Sequence, residues 1–183
     1  MKKTVLVPIA DGTEEIEAVT IIDVLRRAGA EVVVASVDAL EIVASRGVKI
    51  VADCLIGECR ARPFDLVVLP GGMPGAEHLR DSEPLKRILM AQNASGRLFA
   101  AICAAPAVVL EPHGLLQDRR ATCHPGHIHK LSDPTSAQAR VVVDGHCITS
   151  QGPGTAMAFA LKLVELLFGA EKAADVAGPM VTD

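Results

Sequence analysis

Short apolar runs alternate with longer amphipathic ones along most of this chain. Thr4–Ile9, Glu31–Val37, Asp65–Leu69 and Leu98–Ile102 are β-branched or apolar and end at turn residues, which predicts buried strands. Between them, Glu14–Ala28 and Ser82–Ala94 carry helical spacing, the second with Ser82 as N-cap and Pro84 in its first turn. Arg140–Val143 and His146–Ser150 flank Asp144-Gly145, a hairpin signal. Thr155–Phe168 reads as a long apolar helix stopped by Gly169. The alternation predicts a doubly wound α/β fold over residues 1–183, with one antiparallel excursion near residues 140–150.

Composition narrows the function. With four Phe, no Tyr and no Trp, the core must be aliphatic, and no aromatic platform exists for single-stranded nucleic acid. A net charge of −4 lacks the electrostatic footprint of a DNA binder. The opening Met1-Lys2-Lys3 imitates a signal peptide, but the apolar run after it is short and Asp11 follows, so it reads as the first strand. No apolar run approaches the roughly 18 residues of a membrane span. Five cysteines, an odd number without a CxxC pair, predict no disulfide framework and a reducing cytoplasm.

Three strand ends carry unusual residues, and in open α/β sheets sites form at such ends. In Ala100-Ala101-Ile102-Cys103-Ala104-Ala105-Pro106 an apolar strand runs into a cysteine and then into small residues that open a helix, the layout of a nucleophile elbow. A helix N-terminus there should favour the thiolate. Asp11 and Glu14 have the spacing of a capping box. On the helix that follows, Glu17 shares the inward stripe of Ile21, Val24 and Ala28, whereas Glu15 is expected to point outward with Arg26. An inward carboxyl should have a raised pKa and be able to hold a proton beside the cysteine. Leu69-Pro70-Gly71-Gly72-Met73-Pro74-Gly75 lacks the Lys-Ser/Thr of a phosphate loop, so Gly71 and Gly72, with Ala104, are candidate backbone donors to an oxyanion.

In Cys123-His124-Pro125-Gly126-His127-Ile128-His129 the Pro-Gly step breaks helical ligand spacing, so no metal site is expected. His124, after the strand-like Arg120–Cys123, is the candidate partner of the thiolate; His127 and His129 read as surface residues. Cys54, Cys59 and Cys147 have no comparable setting and read as structural, leaving Cys103 as the cysteine expected to oxidise first.

Together, Glu14-Glu15-Ile16-Glu17, Asp65–Gly72, Ala100–Pro106 and Thr149–Thr155 resemble the ThiJ/PfpI family, in the branch of the Parkinsonism-associated protein deglycase and the bacterial YajL-type proteins. The resemblance runs nearly end to end. It implies a flavodoxin-like sandwich that forms a homodimer, with the reactive cysteine at Cys103, its protonated carboxyl partner at Glu17, a nearby histidine at His124 and oxyanion donors in the Gly71-Gly72 turn. The activities it implies are glyoxalase-type conversion of methylglyoxal without a cofactor, repair of early glycation adducts on protein or nucleotide, and a redox-linked chaperone role. Two departures stand out. An accessory cysteine of some members falls on Val51, and the elbow reads Cys-Ala-Ala-Pro rather than Cys-Gly-His, which argues against the peptidase branch. No His-x-Glu pair follows for an amidotransferase.

Overall fold

A computed structural model describes residues 2–182. The first strand, β1 (Thr4–Ile9), is buried along nearly its whole length and lies in the interior of a seven-stranded sheet. β2 (Glu31–Ser36) pairs parallel on one side of it, and β6 (Leu66–Leu69) parallel on the other. β5 (Cys54–Leu55) extends the sheet beyond β2, and β7 (Leu98–Ile102) extends it beyond β6. β9 (Cys147–Ser150) follows β7 in parallel, and β8 (Val141–Asp144) closes the edge antiparallel to β9 around the Asp144-Gly145 turn. The expected antiparallel excursion is therefore this edge hairpin. β3 (Glu41–Val43) and β4 (Lys49–Val51) form a separate two-stranded hairpin.

Period-2 side-chain alternation divides the core into two layers. Leu6, Val67, Leu69, Phe99 and Ala101 face one layer, while Val5, Val7, Val68, Ala100 and Ile102 face the other. Against the first pack α2 (Gly75–Asp81), α3 (Glu83–Ala94) and the widened helical turn Pro106–Leu110. The second is covered by α1 (Glu15–Arg27), α4 (Ala156–Phe168) and α5 (Ala170–Ala177). Helices on both faces of a mostly parallel sheet make the flavodoxin-like architecture that the alternation implies.

Several local expectations are corrected. The helix α1 starts at Glu15 with Glu14 as its N-cap and no side-chain cap, so Asp11 and Glu14 form no capping box. Instead the Asp11 carboxylate accepts from Val43 N–H at 2.7 Å and ties the loop to β3. Ser82 does precede α3, but its hydroxyl caps no N–H. Arg120–Cys123 has no regular secondary structure and does not join the sheet; it is held by Thr122 N–H donating to Thr149 Oγ1 at 2.9 Å. Elements β3, β4, β5, α2 and α5 are too short or too polar in pattern to stand out in the sequence. Among the described residues no helix is long and apolar enough to cross a membrane.

The layer between the sheet and α4 is closed by Phe159, fully buried against α1 and the strands. Phe159→Ala should cost about 3–5 kcal/mol, read as a lower urea midpoint with an unchanged slope. A loss below about 1 kcal/mol would mean that the layer collapses readily around the gap.

Candidate active site

Because β2 lies to one side of β1 and β6 to the other, the chain reverses its winding at the carboxyl end of β1, the place where doubly wound sheets hold their sites. Three segments meet there: the loop leading into α1, the turn after β6 and the turn after β7. They meet so closely that side chains are excluded. A Cβ on Gly72 would stand 2.4 Å from both Glu14 N and Gly12 O, and one on Gly71 would stand 2.5 Å from the Cβ of Cys103. Gly72 also has φ +90°, a region glycine enters freely. Glu14 N–H donates to Gly71 O at 2.9 Å and locks the two loops together.

Cys103 follows β7 directly. Its φ is +65°, a left-handed conformation that costs an ordinary residue about 1–2 kcal/mol. Cys103 N–H donates to Ser150 O at 3.0 Å, and Cys103 O accepts from His124 N–H at 2.7 Å, so the strained turn is held on both sides. The side chain is half-buried and opens on a cleft of about 290 Å³ whose lining includes Glu14, Ser45, Arg46, Met73, His124 and His127. Ligand pockets commonly start near this size, so the cleft suits a molecule of few atoms.

Glu17 has no exposed surface. Its Oε2 accepts from Gly71 N–H at 2.7 Å, while the buried Oε1 receives no hydrogen bond of good geometry. The carboxyl's other neighbour is the Cys103 thiol. Burial lifts the Glu17 pKa from 4.5 to about 7, against the lowering effect of the Gly71 N–H. Burial also raises the Cys103 thiol, and an ionised Glu17 raises it further, to about 12, while the Gly72 and Ala104 N–H groups pull it down. The expectation of a thiol simply lowered by a helix N-terminus is thereby corrected, since the helical turn after Cys103 is short and the adjacent carboxyl dominates. The pair gives up one proton near neutral pH and resists losing the second. The remaining proton is shared between carboxyl and sulfur, and the thiolate is the form that carries it on Glu17.

The other candidates divide. Gly72 and Ala104 do present N–H groups, and both interact with the sulfur. Gly71 does not: its N–H is taken by Glu17. His124 lines the cleft, but its Nδ1 accepts from Gly126 N–H at 3.1 Å, which in the neutral ring leaves Nε2 as a donor rather than a base. His127 also lines the cleft, with Nδ1 buried and unpartnered, whereas His129 is exposed. Among the described residues, no three Cys, His, Asp or Glu side chains are grouped to hold a metal ion.

Glu15 overturns its outward assignment. It is buried, and its carboxylate accepts from the Ser45 hydroxyl and from Arg46 N–H, both at 2.9 Å. Burial opposes its charge, but these donors outweigh burial and hold it below the usual carboxylate range. Glu15 therefore fastens the β3–β4 hairpin to the first turn of α1, and with it the Ser45-Arg46 wall of the cleft.

A strained cysteine at a strand end, backbone N–H groups near its sulfur and a protonatable carboxyl beside it define a cysteine protein of the nucleophile-elbow class. The chain belongs to the DJ-1/PfpI family, whose model matches residues 3–166. It is 54% identical over 169 residues to Protein DJ-1 homolog B of Arabidopsis thaliana, a match that covers 92% of this chain. It spans about two-fifths of the two Arabidopsis relatives, 39% of homolog B and 43% of homolog A. The Glutathione-independent glyoxalase DJR-1.2 of Caenorhabditis elegans is 37% identical over 178 residues, covering 96% of this chain and 94% of that protein. Among solved structures, oxidized Toxoplasma gondii DJ-1 superposes with a TM-score of 0.95 at 49% identity and 98% coverage of both chains.

The Glu17 titration has a consequence for stability. Between pH 4.5 and about 7 the folded chain holds a proton on Glu17 that the unfolded chain has lost. Unfolding free energy must therefore fall as pH rises through that window and level off above it. The full shift corresponds to at most about 3 kcal/mol. In urea titrations, Glu17→Gln should gain on the wild type by roughly 2–3 kcal/mol from pH 4.5 to 7. A difference that stays flat, or runs the other way, would show that Glu17 is ionised throughout.

Proposed function

We propose that this protein is a glyoxalase-type enzyme that converts small 2-oxoaldehydes such as methylglyoxal to 2-hydroxyacids, the Cys103 thiol serving where glutathione would otherwise be needed. The observation that carries the reading is the buried Glu17, poised near neutral pH against the half-buried thiol. A relative whose name states glutathione-independent glyoxalase supports it.

The proposed cycle balances without an external redox partner. The thiolate attacks the aldehyde carbon, forming a C–S bond, and the carbonyl oxygen takes the proton held on Glu17. The Glu17 carboxylate then removes the proton from that carbon, and the electron pair moves onto the adjacent ketone as an enediol. Reprotonation at the former ketone carbon leaves a 2-hydroxyacyl thioester, which water cleaves to release lactate and the thiol. The Gly72 and Ala104 N–H groups beside the sulfur favour the thiolate that makes the attack. Early adducts of the same aldehydes on protein or nucleotide amines offer the same carbon to the same thiol.

The rival reading is a redox sensor or redox-regulated chaperone, in which Cys103 is oxidised to a sulfinate that accepts a hydrogen bond from protonated Glu17. The oxidized state named for the Toxoplasma gondii relative favours keeping it. Lactate formation from methylglyoxal by purified protein separates the two. Wild type should turn over, Cys103→Ala should fall to background, and Glu17→Gln should lose about 10²- to 10⁴-fold. A Cys103→Ala protein that retained activity would overturn the enzymatic reading.

We further propose a cytoplasmic homodimer. The cysteines are all free, which suits a reducing compartment. Ile16 and Val19 on the outer face of α1 are 56% and 51% exposed, and Val48 and Val51 on the adjoining hairpin are 49% and 67% exposed. Light scattering at micromolar concentration should give twice the chain's mass of 19.2 kDa, and Val19→Asp should shift it towards the monomer. A monomeric wild type would remove the proposal.

A further inference from the structure

Outside the cleft, the fold brings together two cysteines that the sequence keeps five residues apart. Cys54 sits in the edge strand β5, and Cys59 ends the helical turn Ile56–Cys59 that follows it. Their sulfurs are 3.7 Å apart, in hydrogen-bond contact. Cys59 is buried, packed with Ile56 and Phe64, while Cys54 is partly exposed at the sheet edge. The segment is pinned on its N-terminal side, where Val34 N–H donates to the Asp53 carboxylate and Asp53 N–H donates to Val34 O, both at 2.8 Å. Leu55 N–H donates to Glu58 Oε1 at 2.9 Å within the turn, and on the C-terminal side Arg62 N–H donates to Cys59 O at 3.2 Å. Both ends being held, the two thiols stay in register.

We propose that Cys54 and Cys59 form a second thiol site, independent of Cys103, that reduces a hydroperoxide and closes into an intrachain disulfide. Cys54 is the attacking sulfur, because it is the one that solvent reaches. Its thiolate attacks the terminal peroxide oxygen, the O–O bond breaks, and hydroxide leaves from hydrogen peroxide or alkoxide from an organic hydroperoxide, each taking up a proton from water. Sulfur has then lost two electrons to the peroxide and stands as a sulfenic acid. Cys59 attacks that sulfur, the S–S bond forms as the S–O bond breaks, and the departing hydroxide takes the Cys59 proton as water. In sum, two thiols and one hydroperoxide give one disulfide, water and the corresponding alcohol or a second water. A disulfide needs a sulfur separation of about 2 Å, so the sulfurs must approach by about 1.7 Å from 3.7 Å, a movement within reach of side-chain rotation.

The division of labour follows from the surroundings. Burial, with the neighbouring Cys54 thiol, lifts Cys59 to about 12, so it keeps its proton until the sulfenic acid has formed beside it. A second thiol so close also diverts Cys54 from further oxidation, because condensation competes with a second peroxide. Cys123 and Cys147 are buried and have no thiol partner among the described residues.

The test uses the full reduced chain treated with hydrogen peroxide, then a maleimide, then digestion without reductant. Trypsin releases residues 50–60, which hold both cysteines, and cleavage after Glu58 separates them. The expected product is that peptide lighter by two hydrogens, unlabelled by maleimide until reduced, its two pieces still joined after the second cleavage. It should form equally in Cys103→Ala, which separates this site from the one in the cleft. Cys59→Ser should abolish the crosslink and leave a Cys54 sulfenic acid trapped by dimedone, and Cys54→Ser should abolish it as well, with melting curves confirming that both fold. Cys54 carrying two added oxygens while Cys59 still takes maleimide, or both cysteines unchanged at peroxide that fully oxidises Cys103, would overturn the proposal.

Discussion

A carboxyl group and a thiol lie side by side in a place that solvates neither charge well. One proton stays with the pair across the physiological range because losing it would leave two adjacent anions, Glu17 and Cys103, in a buried setting. The surrounding structure is arranged around that shared proton. Gly71 N–H favours the charge on the carboxylate, Gly72 and Ala104 N–H favour it on sulfur, and the balance between these donors sets where the proton rests. Moving any of the three loops would shift the balance. The tight contacts at Gly71 and Gly72, where no Cβ fits, are what prevent such movement.

The sheet supplies the rigidity those contacts need. β1, β6 and β7 are neighbours with fully buried inner positions, and each delivers one component at its carboxyl end: Glu17 through the start of α1, the glycine turn, and Cys103. Strain is concentrated at Cys103, whose positive φ is tolerated because Ser150 and His124 grip its backbone on either side. The β3–β4 hairpin is less deeply rooted. It reaches the cleft through Ser45 and Arg46, and the carboxylates of Glu14 and Glu15 hold it in place.

Where period and punctuation are local, sequence alone led to the right element. The strand ends at Ile9, Leu69 and Ile102, the α1 stripe containing Glu17 and the Asp144-Gly145 hairpin all follow from spacing within a dozen residues. What stayed hidden depends on contacts between distant segments. Glu15 lies on the outward side of α1 by its angle, yet it is covered because residues 45–48 fold over it. Gly71 has a free N–H as far as its own turn shows, and only the arrival of Glu17 from 54 residues away uses it. His127 looked like a surface residue because nothing near it in sequence reveals the cleft wall. Cys54 and Cys59 match no recognised spacing, and a strand running into a tight helical turn is what brings their sulfurs together.

The enzymatic and sensing readings place the same proton on the same oxygen, so geometry alone treats them alike. They differ in how often that proton must move. Holding a sulfinate asks only that Glu17 remain an acid, and any strongly raised pKa would serve, the higher the better. Turning over an aldehyde asks Glu17 to give its proton to an oxygen, act as a base at carbon and recover the proton within each cycle, which is most efficient when its pKa lies near the working pH. Total burial without compensation would push a carboxyl well beyond neutrality. The Gly71 N–H on Oε2 works against burial and brings Glu17 back to about 7. A donor in that position weakens a permanent acid and suits a cycling one, which is the ground on which turnover is proposed.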